Sequence, residues 1–544
     1  MSRVPSIRAY HEASKHQLHR YASGPDGLDW ASQPDPFRHF DGAPRQFLPL
    51  LADTLATPFS ALQHPQGVTP RPLDGEHIAI LLEISLALSA WKVAGAARWP
   101  LRCNPSSGNL HPSEGYLLCP ELPGLGAGLW HYVSVEHALE HRFAPRDIPA
   151  WQAAWPAPAI LIGLSSVIWR EAWKYGERAF RYAQHDLGHA LAALRYAAAS
   201  LGWQARLLDQ VADETVAELL GLDREEDFPV AEERESPDLL LLVGAAPQEP
   251  DLSLLQGRDG RWQGTARRLS TSHRSWPAIT EAQEAGTKPA TAPLPSWLPA
   301  SLPALSTTPD AGRAGDLFRQ RRSAVAFDGR TTIAASTFFT LLDALLPRPE
   351  VAPWDAWPQP PDVHPYLFVH RVQGIPPGLY ALPRSPEGAA ALRAALRPDW
   401  LWETVPGTPA HLPLYLLLPA PGESGAELHA FARLVSCHQA IAADSAFSLG
   451  MLADCSALED EPWSYRQRFW EAGMLGQVLY LQAEAHGLRG TGIGCFFDDE
   501  AHRLLGLAPA GPWQDLYHFT VGTPVEDLRI TSEPPYARRS TASP

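Results

Sequence analysis

The residues of this 544-residue chain best suited to chemistry sit in short polar clusters between apolar runs. In "RQRRSAVAFDG" the guanidiniums of Arg321 and Arg322 stand beside the hydroxyl of Ser323. Such a trio can grip a phosphate dianion through charge-assisted, bidentate hydrogen bonds, although an isolated arginine pair is more often solvated surface. "RCNPSSGNLHPSEGY", residues 102 to 116, sets Pro105, Ser106, Ser107, Gly108 and Asn109 in a tightly turning polar loop. "WKYGERAFRYAQHDLGHA", residues 173 to 190, carries Lys174 and Tyr175, then His185 and His189 four apart on an expected helix. That histidine spacing suits zinc, but no third ligand stands near, so packing or hydrogen bonding is the expected role. The five cysteines show neither paired metal spacing nor a disulfide framework, and no metal is expected.

Such clusters need a large frame. The length exceeds the roughly 250 to 300 residues at which a single core stops growing, so two or more domains are expected. A hydrophobic fraction of 45% and 19 tryptophans argue against disorder. The formal charge of -16 disfavours a general nucleic-acid or anionic-membrane surface, which leaves a small molecule or peptide as the expected partner. No apolar run is long enough for a membrane span and the N-terminus has no apolar signal core, so a cytoplasmic location is expected.

The chain also repeats itself. "LGW...VADETVAELLGL" ending at Leu222 and "HGLRG...FFDDEAHRLLGL" ending at Leu507 align without a gap, with Gly202 matching Gly487 and Gly221 matching Gly506, each 285 positions apart. "GLGAGLWHY" pairs with "GIPPGLYAL", and "DLLLLVG" ending at Gly244 with "LYHFTVG" ending at Gly522. The apolar spacing predicts core helices over 189–202 and 476–487, and the runs ending in Gly244 and Gly522 predict buried strands. Between about 287 and 313 a Pro, Ala, Ser and Thr mixture without periodicity suits a linker. The expected architecture is therefore α+β: a domain over 1–250, a linker over 251–313 and a second domain over 314–544, like a homodimer fused into one chain.

Together the motifs resemble the FMN-dependent nitroreductase fold, and within it the SagB/ThcOx-type azoline dehydrogenases that oxidise heterocycles in ribosomal peptides. The resemblance covers both halves. It implies a central, mainly antiparallel sheet flanked by helices in each, and FMN as cofactor. "RRS" is similar to that fold's phosphate-binding entry, and "PSSGN" (Pro105, Ser106, Ser107, Asn109) to the loop that reaches a flavin held mainly by the other subunit. "GIGCFFDD", with Gly494 and Cys495, resembles the loop near flavin N5, where a main-chain N–H rather than the thiol is the expected contact. "VEDLR" resembles the C-terminal phosphate contact and implicates Arg529. Lys174 and Tyr175 match the family's Lys-Tyr pair; a desolvated lysine, or a tyrosine beside a cation, can remove a proton while hydride leaves toward flavin. One departure stands out: Val325 occupies a position often held by Arg or Lys, which stabilises negative charge on the reduced flavin, so Arg102 or Lys174 would have to substitute.

The repeat then acts as a ruler. "PSSGN" falls opposite "PQPPD" (358–362), "RRS" opposite Ala61, Leu62 and Gln63, Arg529 opposite Asp251, and "GIGC" opposite "LLDQ" (207–210). The losses are complementary, so one composite site keeps every part and its twin keeps none. The reading is an oxidoreductase acting on a modified peptide (azoline to azole) or another natural-product precursor, as in RiPP biosynthesis, with a cyclodehydratase complex as an implied partner and further homo-oligomerisation left open. Two alternatives stand: an NAD(P)H-dependent nitro or quinone reductase, and a non-catalytic flavoprotein or scaffold of a peptide-modifying complex.

Overall fold

Two 22-residue helices, Ala179–Ser200 and Ser464–Ala485, pack against each other at the middle of the molecule. The computed structural model describes residues 6–537 except 66, 257–258, 295–296, 307–310 and 423–424. Nearly every residue of both helices is buried, including Ala190, Leu191, Leu194 and Ala198, which the apolar spacing assigns to the core. Their closest approach falls at a glycine from each repeat: a Cβ on Gly188 would lie 2.1 Å from the Trp470 carbonyl oxygen, and one on Gly473 would lie 2.3 Å from that of His185. Gly188 and Gly473 are themselves 285 positions apart, so the pseudo-twofold relation runs through this crossing. The matched pairs that revealed the repeat share their backbone conformation too: Gly221 and Gly506 end their helices at φ 68° and 78°, and Gly202 and Gly487 have φ 71° and 69°.

Each helix lies against an antiparallel sheet of its own. The first sheet runs Gly260–Trp262, Ala138–Pro145, Gly128–Val133, Ser113–Cys119, Ile160–Ser166, Ser236–Gly244, Gln204–Leu207, with Arg45–Phe47 also paired to Ala138–Pro145. The second runs Glu403–Thr404, Tyr415–Pro419, Gly378–Ala381, Val363–Val369, Phe447–Asp454, Trp513–Gly522, Arg489–Ile493. From Gly128–Val133 and from Gly378–Ala381 onward the two orders correspond strand for strand, so the architecture is α+β with two tandem domains. The strands Ser236–Gly244 and Trp513–Gly522 are buried almost throughout, as continuous apolar runs require when both faces are covered.

The halves also exchange their ends. Ile7–Ala13 and the residues after it lie on the second half: His11 Nε2 is 2.8 Å from Gln514 Oε1, and Lys15 donates to the Pro509 carbonyl at 2.6 Å. At the other terminus Thr531–Glu533 adds a strand to the first half's hairpin Leu88–Ala94/Ala97–Arg102, and Tyr536 donates to the Ser134 carbonyl at 2.6 Å. The stretch 251–313 is not uniform. Its first part belongs to the first half, where Gly260–Trp262 extends the sheet and Pro277–Ala285 forms a helix burying Ile279 and Ala282. These few apolar residues are too sparse to register as a periodic pattern. The described residues from 287 to 312 contain neither helix nor strand. No helix among the described residues is long and apolar enough to cross a membrane.

Candidate active site

The groove between the halves opens on one flank into two adjoining cavities that share Pro105, Ser106 and Ser323. The first, about 300 Å³, lies between the Leu88–Arg102 hairpin, the "PSSGN" loop and the "RRS" segment. Five cations, Lys92, Arg102, Arg321, Arg322 and Arg489, line it together with the carboxylates of Glu526 and Asp527, and Arg489 pairs with Glu526 at 2.6 Å. Three buried polar atoms on its wall, Arg102 Nε, Asn104 Oδ1 and His111 Nδ1, have no hydrogen-bond partner among the described residues. Burial there disfavours charge: it lowers the Arg321 pKa and, with repulsion from Arg321, brings Arg322 down to about 10. An anion entering between them relieves that cost.

The "RRS" residues are fixed by both halves. Arg321 donates from Nε to the Cys103 carbonyl and from Nη2 to the Arg102 carbonyl, each at 3.1 Å, and its guanidinium lies 4.9 Å from the Tyr480 ring centre. Arg322 donates to Ser89 Oγ at 3.2 Å and to the Arg319 carbonyl at 2.7 Å. The Ser323 hydroxyl is 2.8 Å from Tyr480 Oη, which also accepts from the Gly492 N–H at 3.0 Å. One tyrosine of the second helix thus ties the cationic segment to the glycine-rich strand end.

The second cavity, about 270 Å³, is walled by the "PSSGN" loop, by Tyr175, Tyr182, Asp186 and His189 of the first half, and by Gln439, Tyr480, Gly492–Cys495 and Tyr517 of the second. The loop is held from within: the Ser106 hydroxyl accepts the His111 N–H at 2.8 Å, and Asn109, at φ 61°, donates to the Pro100 carbonyl at 2.7 Å. Gly492 and Gly494 have no room for a side chain, since a Cβ would lie 1.9 Å from Tyr517 Oη and 2.3 Å from the Tyr182 ring. First-half arginines clamp this second-half loop. Arg178 donates to the Gly494 carbonyl at 3.1 and 3.0 Å, and Arg178 and Arg181 pair with Asp498 at 3.1 and 2.6 Å. Burial opposes the Asp498 charge, but the two arginines hold its carboxyl far below the usual range. The Cys495 thiol is held low by a hydrogen bond from Cys437, aided by His16 and Arg178, while its carbonyl accepts from Gln439 at 3.1 Å.

The structure therefore brings Arg321, Arg322, Ser323, Pro105, Ser106, Ser107, Asn109, Gly494, Cys495 and Tyr175 to one continuous groove, although they are scattered over nearly 400 positions. Two of the residues singled out in the sequence lie elsewhere. Arg529 is exposed and paired with Asp527 at 2.7 Å; Asp527 borders the first cavity and Arg529 does not. Lys174 lines neither cavity and places its ammonium 5.1 Å from the Tyr175 ring centre. Lys92 and Arg489, which the sequence reading missed, stand on the cationic wall; each is a lone charge in its strand and carries no local motif. His185 and His189 bond within the core, to the Leu516 carbonyl at 3.1 Å and to Gln477 and Tyr517 at 3.2 and 3.1 Å. No cluster of metal ligands occurs among the described residues.

At the twin position on the opposite flank charged side chains pair with one another. At the position matching Tyr480 stands Arg195, which forms a bidentate pair with Asp355 at 2.8 Å. At the position matching Asp186 stands Glu471, paired with Arg384.

This architecture is the nitroreductase fold. A crystal structure of a protein from Anabaena variabilis described as a nitroreductase matches 96% of this chain and 100% of its own, with a TM-score of 0.64 and 22% identity. A nitroreductase-type protein from Ralstonia eutropha matches 42% of this chain and 89% of its own at 14% identity and a TM-score of 0.25. The E. coli microcin synthetase McbBCD complex with truncated pro-MccB17 bound matches 42% of this chain and 76% of its own at 16% identity and a TM-score of 0.27. No protein-family model and no curated protein matches the chain.

Proposed function

We propose that the chain is an FMN-dependent oxidoreductase with a single composite cofactor site, acting as a SagB/ThcOx-like dehydrogenase on a modified peptide or similar precursor. One observation carries the reading: a cation-lined cavity with unpartnered polar atoms on its wall opens directly into a cavity of glycines and tyrosines, and each half supplies part of both. The donor set fits a phosphate at one end and a planar ring at the other. Arg321, Arg322 and Ser323, with Lys92 and Arg489, would hold the phosphate, with Asn109 on the same cavity; Pro105, Ser106 and Ser107 would face the ring from the first half and Gly494 and Cys495 from the second. FMN bound there supplies a two-electron acceptor.

The chain's own residues do the rest. The arginine clamp on Gly494 keeps the main-chain groups of the 492–495 loop fixed, so no reorganisation is needed when charge develops nearby. Tyr175 borders the ring-end cavity and can donate its hydroxyl hydrogen to a substrate, while Lys174 sits over its ring and supports it. Val325 lines the phosphate-end cavity as an exposed aliphatic side chain, and Arg102 on the same cavity is the cation placed to compensate. A cyclodehydratase is the partner this reading favours. The test is direct: purified protein should be yellow and release one FMN per chain. Release of FAD, or protein that stays colourless after incubation with FMN, would overturn the reading.

A further inference from the structure

Asp186 sits in the Ala179–Ser200 helix, is only 2% exposed, and yet borders the ring-end cavity. It receives the Ser107 N–H at 2.9 and 3.2 Å and the Ser107 hydroxyl at 3.0 Å, so it holds the loop in place. Its repeat partner Glu471 does the same for the matching loop, receiving the N–H groups of Asp362 and Val363 at 3.0 and 3.2 Å. The difference lies in the charge partner. Glu471 pairs with the buried guanidinium of Arg384, whereas Asp186 makes no ion pair among the described residues and faces a cavity instead. Loop holding therefore explains a carboxylate at both positions but not the missing cation at one.

Behind Asp186 stands a second carboxyl. Glu171 is completely buried, neither of its oxygens has a partner among the described residues, and it feels the charges of Asp186 and Lys174. Burial without a partner keeps such a group protonated, and burial likewise raises Asp186 to about 7 against the stabilising bonds from Ser106 and Ser107.

We propose that Asp186 is the proton-accepting group of the reaction in this cavity, with the buried, unpartnered carboxyl of Glu171 as its neighbour. The inference rests on the oxidoreductase reading above. In the oxidation, one substrate bond to hydrogen breaks with its electron pair staying on the substrate, and the proton forms an O–H bond on Asp186. The retained pair becomes the new double bond as a second hydrogen leaves with its own pair as hydride, for which the flavin is the acceptor. Asp186 then returns its proton to water through the cavity.

The surrounding groups do not change charge near neutrality. Arg102 stays cationic and Glu171 neutral; burial holds His189 down at about 3 and keeps the Tyr175 and Tyr517 hydroxyls protonated; the Cys495 thiol is held low by Cys437. A proton change near pH 7 in this cavity thus belongs to Asp186.

Carboxyl-labelled aspartate NMR on the full-length protein, which needs no flavin, tests this first. Two aspartates should titrate near pH 7, Asp186 and the buried Asp238, and Asp186→Asn should remove one of them. In FMN-loaded protein kcat/KM for an azoline-containing peptide should bend with pH near 7 in the wild type and lose that bend in Asp186→Asn, while Glu171→Gln keeps it. Oxidation of an azoline-containing peptide should fall roughly a hundredfold or more in Asp186→Asn. No aspartate titrating near neutrality in the wild type, or a bend that survives Asp186→Asn, would overturn the proposal. Absence of bound flavin would instead overturn the reading beneath it, with the NMR titration still deciding whether Asp186 holds a proton.

Discussion

Arg321→Ala probes the composite site most sharply, because this side chain has two duties. Its Nε and Nη2 hold the carbonyls of Cys103 and Arg102 across the interface at 3.1 Å, and its guanidinium borders the cationic cavity. Truncation removes one charged phosphate partner, worth about 1.5 to 3 kcal/mol, which is roughly tenfold to a hundredfold in FMN affinity. It also removes two hydrogen bonds in a region where Arg321 is only 4% exposed, so the FMN-free protein should lose about 1 to 3 kcal/mol of stability. The two effects separate experimentally: FMN titration into the apoprotein reads the first, and denaturant unfolding of the apoprotein reads the second. Gln63→Ala is the control in the matching segment of the first half, at the position opposite Ser323. Gln63 is buried with neither amide atom hydrogen-bonded among the described residues, so its truncation breaks no bond and should leave FMN affinity unchanged. Destabilisation of Arg321→Ala with unchanged affinity would make this arginine a strut rather than a phosphate ligand. Equal affinity losses from both variants, or two FMN per chain, would show that the twin site is alive.

Gly188→Ala should destabilise the fold by about 1 to 3 kcal/mol, since the added methyl meets backbone of the facing helix rather than a movable side chain; an unchanged denaturation midpoint would contradict the helix crossing. Acid should loosen the interface through Asp498. Its folded pKa lies below the unfolded value of about 3.9, so its stabilisation is fully present above about pH 4 and is lost as pH falls below that toward the folded value. Tm measured against pH should therefore drop more steeply in the wild type than in Asp498→Asn, and parallel curves would refute the assignment. Tyr175→Phe should slow oxidation of an azoline-containing peptide by roughly a hundredfold, and Lys174→Ala, which removes only the cation at the Tyr175 ring, by about two- to thirtyfold, with flavin content unchanged; near wild-type rates in both would remove the pair from the chemistry.

Part of the site could be read without coordinates because it is written in local runs. "PSSGN", "RRS" and "GIGC" are each contiguous, and the repeat says which half has kept which. The isolated members were not readable. Lys92 and Arg489 reach the cavity from single strand positions, and their relevance depends on the hairpin and the sheet edge meeting at the interface. Asp186 lies inside a motif whose visible spacing belongs to its histidines, and its chemistry follows from what is absent beside it, the arginine that its repeat partner has. Arg529 shows the converse: a motif match carries the residue's type, while the adjacent Asp527 takes up its charge.

The amino-acid sequence alone determined the α+β character, the duplication, two buried strands and the C-terminal halves of the two central helices, because periodic apolar spacing is a local requirement that any compact fold must honour. It also exposed the complementary loss of motifs, since a gapless offset of 285 needs no coordinates. The tertiary structure decided which charges are paired and which remain available. Whether a guanidinium meets a carboxylate, a carbonyl or an open cavity depends on elements hundreds of residues apart, and burial then sets the energetic cost of leaving it unpaired. That is why Glu471 is paired with Arg384 on one flank of the pseudo-dimer while Asp186 borders a cavity on the other.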